Sequence, residues 1–187
     1  MCIRDRLSAW PVEELSVRAD ESGRGFLQRL RDALKQLGDA ELPAPYELPF
    51  VGGLIGYLSY DFGRQLEHLP AQSLNDLHLP DARLGLYAWA LVSDHQAATS
   101  QLVFHPSLAV AERERLIELF AQPAQTEPGT FSLKHPMQPD ISAEFYRHAL
   151  QKIQHYIQVG DCYQVNYTQR FSAPCEGDPW AAYCALR

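Results

Sequence analysis

The stretch ARLGLYAWALVSDHQAATSQLVFHP, residues 82–106, decides the fold. Apolar and aromatic side chains dominate from Leu84 to Val92, polar and small ones take over from Asp94 to Thr99, and an apolar run resumes at Leu102. Aromatic and β-branched residues suit a pleated, half-buried surface, and a short polar interruption between two such runs is a turn signal. The pattern predicts strands at about 83–93 and 100–105 joined by a turn over Asp94 to Thr99, a hairpin of an antiparallel sheet.

Upstream, VGGLIGYLSYDFGR (51–64) is too short for a buried helix and has strand-like aromatic content, which predicts a strand at 52–60. Before it, ELPAPYELPF (41–50) places three prolines in ten residues and reads as a connector. Phe26, Leu27, Leu30, Leu34 and Leu37 recur at helical spacing, with Gly38 as a stop. The opening MCIRDRLSAWPVEE shows neither a helical nor a strand period.

Downstream, Leu108, Ala111, Leu116, Leu119 and Phe120 share one helical face, with Ser107 placed as an N-cap. Residues 122–140 hold four prolines and no sustained period, and so mark the expected boundary between regions. Ser142 then caps a helix carrying Phe145, Ala149, Leu150, Ile153, Tyr156 and Ile157, which ends at Gly160. Next comes GDCYQVNYTQRF (160–171), expected as a strand. On alternation, Tyr163, Val165, Tyr167 and Gln169 face one way, and Cys162, Gln164, Asn166, Thr168 and Arg170 the other. The polar side suits either water or the wall of a polar pocket, where an amide pair such as Gln164 and Asn166 donates and accepts hydrogen bonds; alternation does not choose.

Composition excludes several classes. The apolar share of 46% is that of a globular chain, and no window approaches the length of a membrane helix. There is no charged head followed by an apolar signal core, so a cytoplasmic location is expected. Sixteen basic residues lie scattered among twenty-three acidic ones, for a net charge of −7, which removes the footprint of a nucleic-acid binder. Cys2, Cys162, Cys175 and Cys184 lack C-x-x-C spacing and read as reduced thiols.

Mechanistic motifs are also missing. The glycines of GGLIGYLSYDFG fit neither G-x-x-x-x-G-K-[ST] nor a strand–G-x-G-x-x-G–helix unit, and close packing against a neighbouring backbone is their expected use. Asp61 and Arg64 are placed to pair across one turn as a local structural feature. His148 and His155 share a helix face without a third ligand. No G-x-S-x-G, H-E-x-x-H or cysteine-centred nucleophile motif occurs.

Three segments carry a family resemblance: LPFVGGLIGYLSYDFGRQLEHLP (48–70), LPDARLGLYAWALVSDH (79–95) and GDCYQVNYTQRF (160–171). In this order and at these separations they resemble component I of the aminodeoxychorismate synthases, relatives of anthranilate synthase component I. The resemblance runs from about Leu48 to Arg187. Tyr87 and Trp89 in the hairpin, and Cys162 with Asn166, look closer to the aminodeoxychorismate branch.

The resemblance implies an α+β fold, an antiparallel β-sandwich with surrounding helices, here incomplete. Under it, residues 1–24 are a poorly defined start, and 25–121 form part of the N-terminal-like region. Residues 122–140 are then a linker, and 141–187 begin the chorismate-binding region. The implied reaction replaces the 4-hydroxyl of chorismate by an amino group on the route to 4-aminobenzoate and folate, with ammonia from a glutamine amidotransferase, component II. Family members are far longer and carry their magnesium-binding acids, chorismate-binding groups and Pro-Ile-Lys-Gly-Thr lysine downstream, and none of these segments occurs here. The expectation is therefore a catalytically inert fragment, without catalytic or metal-ligating residues of its own, whose Mg2+ belongs to the full-length enzyme. Gln164 and Asn166 are the expected substrate-adjacent residues, on a strand whose tyrosine side is expected to face a sheet core in the whole enzyme. Anthranilate synthase component I is the alternative enzyme. A non-catalytic module that binds an amidotransferase or a small ligand is the alternative from another class.

Overall fold

The computed structural model describes residues 4–40, 48–71, 75–123 and 129–186. Residues 41–47 of the proline-rich connector, 124–128 of the expected linker, and Cys2 lie outside these. The chain divides into two compact units, residues 1–123 and 124–187.

In the first unit the elements run β1 (Arg4–Leu7), β2 (Glu13–Ser16), α1 (Gly23–Leu37), β3 (Gly53–Leu58), a 3-10 helix (Tyr60–Gln65), β4 (Ala82–Tyr87), β5 (Trp89–Asp94), β6 (Thr99–Phe104) and α2 (Val110–Ala121). Two three-stranded antiparallel sheets result, in the orders β1-β5-β6 and β2-β4-β3. The hairpin exists as β5–β6, closed between Asp94 and Thr99, where the Asp94 carboxylate accepts from the backbone N–H groups of Gln96 and Ala97 at 3.0 and 2.9 Å.

The single strand expected at 83–93 is corrected to two. It breaks at Ala88, so that β4 pairs with β2 and β3 while β5 pairs with β1 and β6. Ala88 is buried, and its carbonyl accepts from the His105 N–H at 2.8 Å, just past the end of β6. One apolar run thus feeds two sheets, because each half finds different ladder partners. The opening stretch, in which no period is legible, supplies β1 and β2, one strand on the edge of each sheet.

Helix α1 forms as its spacing requires. The Ser22 hydroxyl accepts from Gly25 N at 3.1 Å, and Gly38 (φ 85°) closes the end with its N–H on the Leu34 carbonyl. Phe26, Leu30 and Ala33 are buried against Leu15, Phe62, Ala82 and Leu86, which gives one core. A second gathers Ala90, Val92 and Val103.

Helix α2 starts at Val110 with Ala109 as its N-cap and no side-chain cap bond, so the expectation for Ser107 is corrected. The Ser107 hydroxyl lies instead 2.7 Å from His105 Nδ1, and its N–H donates to the same nitrogen at 3.2 Å. With Nδ1 accepting, Nε2 carries the proton and points to the Gly38 carbonyl at 3.2 Å. His105, 3% exposed, thereby ties the end of α1 to the end of β6.

A second tie is ionic. The Arg29 guanidinium donates to both Glu21 carboxylate oxygens, at 3.0 and 2.6 Å, and to the Ser16 carbonyl at 2.7 Å, which joins α1 to β2. These bonds from Arg29 are the main reason the Glu21 carboxyl is held below its ordinary range, against desolvation, which raises it. A folded-state pKa below the unfolded one contributes stability above the ordinary carboxylate pKa, and that contribution is lost as pH falls through the depressed value. Denaturant titrations of Glu21→Gln and the parent chain should therefore differ clearly at pH 7 and converge in acid; a pH-independent gap would show that the charge of Glu21 is not what matters.

The second unit runs β7 (Phe131–Leu133), β8 (Gln138–Pro139), α3 (Ala143–Gln158), β9 (Phe171–Ser172), β10 (Cys175–Gly177) and α4 (Pro179–Leu186). Its strands form two short antiparallel pairs, β7–β10 and β8–β9. Both short strands β7 and β8 lie within the proline-rich stretch. Helix α3 has the expected cap, with Ser142 Oγ accepting from Phe145 N at 3.1 Å, and Gly160 (φ 85°) follows its end. Yet no described residue from 129 to 186 is buried, and Phe145 (61%), Ile157 (42%) and Trp180 (60%) stand in solvent.

Candidate functional site

The stretch that raised the functional question begins at the turn after α3. Asp161 N–H donates to the Tyr156 carbonyl at 2.9 Å and starts the chain on an extended course. At the other end, β9 pairs with β8, the Asp140 N–H donates to the Arg170 carbonyl at 2.9 Å, and Ser172 Oγ donates to the Asp140 carboxylate at 2.8 Å. Both ends are tethered.

Between these anchors the expected strand at 162–170 is corrected: residues 162–170 pair with no strand, and the ladder is confined to Phe171–Ser172. A strand is defined by its ladder partner, and among the described residues no strand runs alongside residues 162–169. The tyrosine side finds no sheet core either. Tyr163 is 94% exposed, while Tyr167 is half-buried and stacks on Tyr146 of α3, ring centroids 5.3 Å apart. Gln169 Oε1 is shut away from solvent without a hydrogen-bond partner.

Gln164 and Asn166 are both exposed and lie side by side, with Gln164 Nε2 donating to Asn166 Oδ1 at 3.4 Å. An amide pair offers donors and acceptors to a polar ligand but no proton transfer near neutral pH and no nucleophile. Cys162 is half-buried next to them as a free thiol.

The remaining candidates are local. Asp61 and Arg64 pair at 3.1 Å on the 3-10 helix, which makes them the structural pair that their spacing suggested. They border a groove with Asp76 and Asp81, in which carboxylates outnumber guanidinium groups. His148 and His155 lie two turns apart on α3, about 10 Å along its axis, too far to share an ion. Among the described residues no three His, Cys, Asp or Glu side chains come together as a metal site, and no helix is long and apolar enough to cross a membrane. Sequence reading passed over His105, although it shares strand parity with buried Val103 two residues earlier, and that parity was the available signal.

Comparison with known proteins extends the reading. Residues 4–187 match the family model described as chorismate binding enzyme, a longer span than the segments that carried the resemblance. The chain is 42% identical over 154 residues to the aminodeoxychorismate synthase component 1 of Klebsiella aerogenes, covering 81% of this chain and 33% of the relative. It is 36% identical over 190 residues to the protein of the same name from Salmonella typhimurium, covering 96% and 40%. With the anthranilate synthase component 1 of Mycolicibacterium smegmatis it shares 30% over 205 residues, covering 100% and 38%. The crystal structure of anthranilate synthase component I from Streptococcus pneumoniae superposes with a TM-score of 0.72 at 22% identity, over 100% of this chain and 45% of that one. The antiparallel α+β fold is thus shared with part of a larger architecture. The chain spans between about a third and two fifths of the length of these curated relatives.

Proposed function

Because the chain belongs to the chorismate-binding enzyme family, we propose that it is the front part of an aminodeoxychorismate synthase component I. The reaction of the whole protein replaces the 4-hydroxyl of chorismate by an amino group: the ring C–O bond breaks, a C–N bond to ammonia forms, and water leaves. The observation that carries this reading is that three relatives named aminodeoxychorismate synthase component 1 match at 42%, 36% and 39%, whereas two named anthranilate synthase component 1 reach 30% and 34%. Anthranilate synthase component I remains the second reading, on those two matches.

The partner is a glutamine amidotransferase that supplies ammonia, and the location is the cytoplasm. Residues 122–140 are the linker between the N-terminal-like region and the start of the chorismate-binding region. Of that stretch, β7 and β8 pair with β10 and β9 of the second unit, so the division itself falls near Pro123. Capped helices and short ladders without one buried residue among 129–186 are what a region looks like when its core is completed by further chain.

Within that whole, Gln164 and Asn166 face the substrate and act by orientation, as hydrogen-bonding amides toward its polar groups. Magnesium would serve the full-length enzyme by neutralising a dicarboxylate and its leaving hydroxyl. The described residues assemble no donor set that fits it, so no step is assigned to a metal here.

The 187-residue chain, incubated with chorismate, Mg2+ and ammonium, should form neither aminodeoxychorismate nor anthranilate above the no-protein rate, as followed by liquid chromatography. Turnover by the chain alone would show that its own residues carry the chemistry. Coding DNA beyond Arg187 separates the branches: a Pro-Ile-Lys-Gly-Thr segment supports the aminodeoxychorismate assignment, another residue at the lysine supports the anthranilate one, and a stop codon the non-catalytic module.

A further inference from the structure

The sheet β2-β4-β3 ends on one side at β3, and among the described residues no strand pairs with its outer edge. Unpaired N–H and C=O groups on such an edge are a template for another strand, and proteins blunt them with charge or proline. The other open edges follow that rule: β1 reads Arg-Asp-Arg-Leu, β2 carries Glu13 and Glu14, and β6 opens on Thr-Ser-Gln. The β3 edge does not. From Val51 to Tyr60 there is neither a charged residue nor a proline, and Ile55, Tyr57 and Leu58 are 37%, 40% and 49% exposed.

Which backbone groups are free follows from the register. Ser59 N–H donates to the Asp81 carbonyl at 2.7 Å, one step beyond the Leu58–Ala82 pair. Bonded and non-bonded pairs alternate along an antiparallel ladder, so Ile55 and Tyr57 turn their N–H and C=O groups to β4, and Leu54, Gly56 and Leu58 turn theirs to the open edge. A second β3 laid antiparallel about a two-fold axis at Gly56 then sets Leu54 against Leu58, Gly56 against Gly56 and Leu58 against Leu54, each as a bonded pair. The same register puts Ile55 opposite Tyr57, so the exposed aliphatic and aromatic side chains gain cross-strand partners. Gly56, exposed and without a Cβ, leaves the axis clear. Although the chain carries a net charge of −7, no like charges meet across this axis.

We propose that the chain self-associates through this edge, two copies joining β3 to β3 so that their three-stranded sheets form one continuous antiparallel sheet across an isologous interface. One short strand pairing buries less than a standard interface, so the dimer is a weak one, with Kd on the order of 0.1 mM. The edge shares no residue with the 161–172 stretch, and its test is independent of turnover.

The experiment is sedimentation equilibrium of the full chain over a concentration series spanning that Kd, with amide hydrogen exchange read by NMR at both ends of the series. The weight-average mass should rise from monomer toward dimer. The Gly56 and Leu58 amides should gain protection with concentration, while Ser59, already bonded to Asp81, stays constant. Leu58→Pro removes an outward N–H from each copy and no bond to β4, so it should weaken the dimer by about tenfold and leave the urea transition in place. Leu58→Ala, which keeps the N–H, should weaken it less. Should Leu58→Pro unfold the chain, the concentration-dependent exchange of the parent decides alone. A monomer throughout the series, protection that grows within residues 129–186 instead, or a dimer unchanged by Leu58→Pro in a folded chain would each overturn the proposal.

Discussion

Replacing Phe26 by alanine should cost about 3–5 kcal/mol of folding stability, the largest effect expected of any single truncation in the first unit. The ring is fully buried, meets Phe62 edge-on at 5.8 Å, and lies beneath the Arg29 guanidinium at 5.2 Å. Its neighbours Leu15, Leu30 and Leu86 come from a strand, a helix and a second strand, so no single side chain can relax into the space. The cost is comparable to the whole stability of a marginal domain. Urea unfolding followed by circular dichroism should lose its cooperative transition or shift it far toward zero denaturant. A loss below about 1 kcal/mol would mean that the cluster repacks, which buried aromatic truncations seldom allow.

Gly56→Val is expected to be nearly as damaging for a different reason. Gly56 pairs with Leu84 in the β3–β4 register, and a Cβ there would overlap the Arg83 carbonyl oxygen. Because the obstacle is backbone, the strand has to give way rather than a rotamer, and the cost should be about 2–4 kcal/mol, at and somewhat above the usual overpacking range. Gly63, seven residues on in the same glycine-rich run, is the internal control. A Cβ there would meet only the Leu69 side chain at 3.4 Å, an ordinary contact, so Gly63→Ala should shift stability by less than about 1 kcal/mol. Equal losses at the two positions would remove the close-approach account of this run.

These two sites differ in how visible they were. Phe26 sits on a helical repeat that any reading of period finds, while the role of Gly56 was legible only as a type: a glycine in a strand wants a close backbone. The partner that makes it necessary, Arg83, is 27 residues away and emerges only with the β3–β4 register. The break at Ala88 failed for a related reason. An unbroken apolar run has no local mark where it changes sheets, and the change is fixed by which strands lie beside each half. Ser107 looked like a cap because of its type and place, yet the buried ring of His105 claimed it first.

The candidate site was legible as a pattern and not as a structure. Alternation of tyrosines and amides along 162–170 is real in the sequence, but a ladder is a property of two strands, and among the described residues the ladder here is confined to Phe171–Ser172 on β8. By itself, then, the sequence determined helices α1 and α3 with their glycine stops and the α3 cap, the antiparallel hairpin and the family, because these rest on local periodicity and on short motifs read in order. Only the tertiary structure decided which sheet each strand joins, which glycines lie against neighbouring backbone, which histidine is a buried tie, and that the amide stretch joins no ladder. Those depend on contacts between residues far apart in the chain, whose energies no local pattern records.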